Sequence, residues 1–187
     1  MWAQQEDSGR LLLHREWMAL ETPEEQFIDG VIARTNLWFG ARTCRDYGDP
    51  AARNRDPHGV ATLQRLSAKG IQLGFRQTTY AQRIPLINRK FSELIGGIPS
   101  ITINPNCPTL IEGLAGGYHY PALKEGMELT AKREIPMKDS WFEHLANAFE
   151  YLMVNLYGQS TPAITKTIAR RRLRQRRVAM KRGVVVF

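Results

Sequence analysis

"SWFEHLANAFEYLMVNLYG", residues 140–158, reads as one long amphipathic helix, opened by Ser140 and closed by Gly158. At about 100° per residue, Leu145, Ala148, Phe149, Leu152 and Leu156 share one stripe, the expected buried face. Asn147 falls on the opposite side. It is an odd residue for mid-helix, because its amide competes for backbone hydrogen bonds. His144 and Tyr151 lie between the stripe and Asn147, and Glu143 and Glu150 flank the amide from its other side. Asn147 is therefore expected to face solvent or a cleft.

Upstream of this helix, extended and helical patterns alternate. Residues 1–17 read as two short extended segments around a turn at Asp7-Ser8-Gly9. "TPEEQFIDGVIARTNLWFG" has Thr22 to cap a helix, Pro23 for its first turn, Glu24 and Glu25 for its positive end, and Gly40 to stop it. Phe27, Val31, Ile32 and Leu37 are its expected buried residues. A weak strand follows and breaks at Gly48-Asp49-Pro50. Next come a helix over "VATLQRLSAKG", a strand over "IQLGFR", and a helix over "YAQRIPLINRKFSELIGG" with Pro85 near its first turn. "SITIN" is β-rich, "PTLIEGLAGGYHYP" a short helix ending in a glycine-rich bend, and "MELTAKREIPMK" an extended piece. Such alternation favours an α/β layered domain.

The chain has 187 residues, 43% hydrophobic and 24% charged, as in a globular protein with one core of ordinary size. No run of 18 apolar residues predicts a membrane span, and the opening "MWAQQEDSGR" is not a secretory signal. Cys44 and Cys107 form no CxxC motif, which suits a reducing compartment. The net charge of +8 is unevenly placed. Nine of the 26 basic residues lie in residues 165–187, which contain no acid; the other 17 nearly balance the 18 acids. Affinity for nucleic acid inferred from charge thus belongs mostly to the tail.

Asp49 is the other informative residue. A carboxylate just past a strand sits at the sheet edge where α/β proteins build sites, and it can hold a hard cation. Taken alone, Gly-Asp-Pro is more often only a turn. Asp56 and His58 in the same loop read as ordinary capping. No GxxxxGKS/T, GxSxG or HExxH pattern is present, and the four histidines have no metal-ligand spacing.

"YGDPAARN…LSAKGI", "RIPLINRKFSELI", "INPNCPTLIEGLAGGYHYP" and "PMKDSWFEHLANAFEYL" together resemble consecutive motifs of the nuclease domain of the large terminase subunit of tailed bacteriophages. The match runs in order from about residue 1 to residue 158. The resemblance implies an α/β, RNase H-like mixed sheet flanked by helices, over residues 1–160, followed by a basic tail at 161–187. It implies a metal-dependent endonuclease that cuts concatemeric double-stranded DNA during packaging, in the cytoplasm of the bacterial host. The portal and the small terminase subunit are the implied partners. In such a site three acids hold two Mg²⁺ or Mn²⁺ ions about 3.5–4 Å apart.

The chain departs from the family twice. The family's first acid lies on a first strand that this chain is expected to lack. The position of the third acid, three residues after His144 and four before Tyr151, holds Asn147. Asp49 and Asn147 are then the candidate metal ligands, with His144 orienting a ligand and Lys138 touching a scissile phosphate. Arg83 and Arg89 match a basic helix facing DNA, and Glu143 or Glu150 is a candidate to replace the lost charge. Two readings remain open: an endonuclease with impaired cutting, and a catalytically inactive fragment that binds DNA or the portal.

Arg170, Arg171, Arg172, Arg174, Arg176 and Arg177 make the tail a DNA-binding candidate. Its removal (residues 165–187) is expected to lower duplex affinity and flatten the salt dependence of binding. Fluorescence anisotropy across a salt series checks this; an unchanged isotherm rejects the role.

Overall fold

The computed structural model describes residues 1–40, 44–119 and 141–158. Its first element is the expected hairpin. β1 (Trp2–Gln5) pairs antiparallel with β2 (Leu11–Arg15). The turn is closed by Gly9 N–H to Glu6 O and Glu6 N–H to Arg10 O, with Gly9 at φ +90°. Strand alternation sends Leu11 and Leu13 to one side, where both are fully buried. β2 also pairs in parallel with a later strand, β7 (Ile101–Ile103), giving the order β1-β2-β7.

α1 (Glu24–Phe39) follows Pro23. Thr22 does not cap it; that hydroxyl donates to Leu20 O. The expected apolar face is also corrected. Ile28 is the buried residue of α1, whereas Phe27 is exposed and Leu37 is 79% exposed. Aromatic contacts locate the helix instead: Trp2 Nε1 donates to Thr35 Oγ1, Trp17 stacks on Phe27, and Trp2 meets Trp38 edge-on.

β3 (Asp46–Tyr47) and β4 (Leu73–Gly74) form a separate parallel pair. A 3-10 turn (Pro50–Arg53) and α2 (Thr62–Ala68) make the crossover between them. Asp56 does not cap α2, whose N-cap is Ala61; it closes the preceding loop by accepting from His58 and Val60 N–H, and it pairs with Arg65. α3 (Tyr80–Ser92) carries Pro85 inside the helix rather than in its first turn. β5 (Leu94–Ile95) and β6 (Ile98–Pro99) form a hairpin over two glycines. α4 (Pro108–Glu112) runs into a wider turn at Gly113–Gly117, and α5 (Glu143–Tyr157) is the last described element.

The core lies between the β1-β2-β7 sheet and α3, α4 and α5. Leu11, Leu13, Ile87, Ile101, Cys107, Leu110, Leu145, Phe149 and Met153 form it. Burial pushes the Cys107 thiol up to about 11, so this cysteine is an inert core residue. The class is mixed α/β, about half helical. Where one mixed sheet was expected, the described strands divide into a three-stranded sheet and two two-stranded ones. Among the described residues no helix is long and apolar enough to cross a membrane.

α5 corrects the sequence reading most. Its buried residues are Leu145, Ala146, Phe149, Glu150, Met153, Val154 and Asn155, while Ala148 is exposed. The inward face is rotated by roughly a quarter turn from the expected stripe. α3 is the reason: it packs along the side of α5 that carries Ala146 and Glu150, so those positions are covered too. Ala146→Lys is therefore expected to cost about 2–4 kcal/mol, and Ala148→Lys no more than about 0.5 kcal/mol. Urea unfolding of the two variants decides, since the opposite ranking would restore the stripe read from sequence.

Candidate functional site

The β3–β4 ladder ends at Gly48, whose N–H donates to Gly74 O at 3.1 Å. A Cβ on Gly48 would stand 3.0 Å from the Leu73 side chain, so a larger residue would force that side chain aside. The next residue is Asp49, at the carboxyl edge of two parallel strands. Its Oδ1 accepts from Ala51 N–H at 2.7 Å and so opens the 3-10 turn. α5 packs against β3 here, and its Tyr151 phenol lies close enough to the same carboxylate to feel its charge. Burial raises the pKa of this phenol, and the charge of Asp49 raises it further.

The turn acid and the last helix thus come together, with Tyr151 as the point of contact. Asn147 stands one helical turn earlier, about 6 Å along the axis. It is half-buried, and its Nδ2 donates to Glu143 Oε1 at 3.3 Å. His144 is exposed. Asp46 in β3 is half-buried, and burial raises its pKa.

Beside Tyr151 lies an ion pair that the sequence reading did not anticipate. Arg83 Nη1 is 2.8 Å from Glu150 Oε2, with side chains 12% and 4% exposed. The approach is close without the alignment of a hydrogen bond: Arg83 Nε and Nη1 and Glu150 Oε2 find no hydrogen-bond partner. The guanidinium also lies 4.9 Å from the Tyr151 ring centre and 5.5 Å from that of Tyr80. Burial pushes the Glu150 carboxyl up, and Arg83 offsets this only in part.

Two expectations change accordingly. Arg83 does not stand on an open DNA-facing surface; it is largely buried against Glu150. Glu150 is not on the solvent side of the helix, so it is poorly placed to replace a lost ligand. Arg89 is exposed, as a DNA contact requires. Lys138, Arg170, Arg171, Arg172, Arg174, Arg176 and Arg177 lie outside the described residues, as does the whole segment 161–187. The ion pair left no local signal, because each partner reads as an ordinary helix charge until the rotation of α5 is known. Tyr151 entered only through the resemblance, as the residue four positions after Asn147.

A two-cation centre needs several charged oxygen ligands. Among the described residues no group of three His, Cys, Asp or Glu side chains converges to hold a metal ion. Asp49 brings one carboxylate, Asn147 only an uncharged amide, and Glu150 faces Arg83. These donors do not fit a complete two-metal site. No family model matches the chain, and searches of curated proteins and of solved structures return no match.

Arg83→Met leaves Glu150 buried without a counter-charge and is expected to destabilise the chain by about 3–5 kcal/mol. Adding Glu150→Leu is expected to recover most of that loss, because a buried pair and an apolar replacement of similar volume are often nearly equivalent. Urea melts of the single and double variants check this; a double variant no more stable than the single one contradicts it.

Proposed function

We propose that this chain is a nuclease-type domain of a tailed-phage large terminase subunit, RNase H-like in ancestry, that binds double-stranded DNA but is impaired in cutting it. The contact between Asp49 and Tyr151 is the observation that carries the reading. It sets a sheet-edge carboxylate beside Tyr151, one helical turn from Asn147, the position where the resemblance calls for an acid.

The impairment follows from charge. Phosphodiester cleavage at neutral pH needs a stabilised hydroxide and a stabilised leaving oxygen, which paired divalent cations supply in nucleases of this type. One free carboxylate and one amide attract a dication such as Mg²⁺ or Mn²⁺ far less than three carboxylates do, since the attraction scales with ligand charge. DNA binding makes no such demand, because arginines such as Arg89 and the basic tail can neutralise phosphates. The portal, the small terminase subunit and a place in the host cytoplasm enter this proposal through the resemblance alone.

The test is nicking of supercoiled plasmid with Mn²⁺, alongside calorimetric Mn²⁺ binding. The unmodified chain should cut no faster than Asp49→Ala. Asn147→Asp should tighten Mn²⁺ binding by about tenfold or more, equivalent to ~1.4 kcal/mol, and introduce nicking that Asp49→Ala removes. Nicking by the unmodified chain that depends on Asp49 overturns the impairment. An Asn147→Asp variant with unchanged Mn²⁺ affinity removes the shared corner from the argument.

A further inference from the structure

Besides Asp49, two more residues occupy the carboxyl edge of the β3–β4 pair. Phe75 directly follows Gly74, the last residue of β4. Arg53 closes the single turn that Asp49 opens. The Arg53 guanidinium lies over the Phe75 ring, 4.1 Å from its centre. Arg53 is exposed, and it joins none of the ion pairs among the described residues. Other cations in this part of the fold do find acids: Arg65 takes Glu24 and Asp56, and Lys69 takes Asp29. Two residues on, Arg55 is likewise exposed and outside those pairs, with its backbone bridged to Ala61.

This arrangement has a direction. An arginine laid on an aromatic face keeps its planar fork of N–H donors pre-organised and turned toward solvent, a geometry that matches phosphate oxygens. Of the acids on the same loop, Asp56 is engaged by Arg65. Asp49 by itself would repel a polyanion, and two arginines on the same loop offset it. We propose that Arg53, supported by Phe75 and flanked by Arg55, binds the phosphodiester backbone of DNA at the edge occupied by Asp49. The proposal rests on the DNA-binding reading above and adds a site on the folded domain, separate from the tail and from Arg89.

The experiment is equilibrium binding of a labelled 20-base-pair duplex to the full chain across a sodium chloride series. Arg53→Gln should weaken binding to the same degree for unrelated duplex sequences. It should also reduce the slope of log affinity against log salt by about one, since one phosphate contact is lost. The tail contributes equally to both proteins, so the difference reads this edge alone. Arg53→Lys should restore the slope, because it keeps the charge, and thermal melts of both variants should match the unmodified chain. If the unmodified chain binds DNA and Arg53→Gln leaves the slope unchanged, this inference is overturned while the functional reading stands. If the unmodified chain binds no duplex at any salt, both fall.

Discussion

The rotational setting of α5 governs the rest of the molecule. Phe149 and Met153 enter the core beside Leu11, Leu13 and Leu110, and once they are placed every other side chain on the helix has an assigned direction. Glu150 then faces α3, Tyr151 faces the turn after β3, and Asn147 sits one turn along the same side as Tyr151. A shift of one residue is a rotation of about 100°. It would withdraw Tyr151 from Asp49 and Glu150 from Arg83 together, so core packing and site geometry cannot vary independently.

The Arg83–Glu150 pair is better understood as a register mark than as a source of stability. Desolvating two charges costs about as much as their attraction returns, and here several of their polar atoms lack hydrogen-bond partners. A wrong pairing is what would be expensive: either charge buried alone carries a large penalty. α3 and α5 can therefore pack closely only where the two charges meet. The rings of Tyr80 and Tyr151 near the guanidinium narrow the choice further.

Elements with local causes were legible in the sequence. The hairpin at residues 1–15 followed from its turn residues, α2 from its glycine stop, and the break after β3 from Gly48-Asp49-Pro50. The resemblance, not any local pattern, paired Asp49 with Asn147; the residue of the last helix beside Asp49 is Tyr151. What failed was the assignment of faces. A helix touched from two sides buries a wider arc than one stripe, so Ala146 was missed from the buried face and Glu150 was read as outward. In α1 the error ran the other way, since Leu37 has the composition of a core residue but stays exposed. Long-range electrostatics such as Arg83–Glu150 has no periodicity, and no reading of sequence neighbours reveals it.

The divided sheet gives the site contact a second role. A two-residue parallel ladder is too short to stand alone, and parallel strands are normally buried within a larger sheet. β3 and β4 therefore need support from elsewhere, and two attachments lead to α5: Asp49 to Tyr151, and Arg76 Nη1 donating to Gly158 O at 2.8 Å. The first starts just after β3 and the second just after β4, so both carboxyl ends are tied to one helix. The edge that presents Asp49, Arg53 and Phe75 is thus held by the same helix that fills the core. Any ligand gripping that edge would meet a surface anchored through α5, and loosening α5 would disperse it.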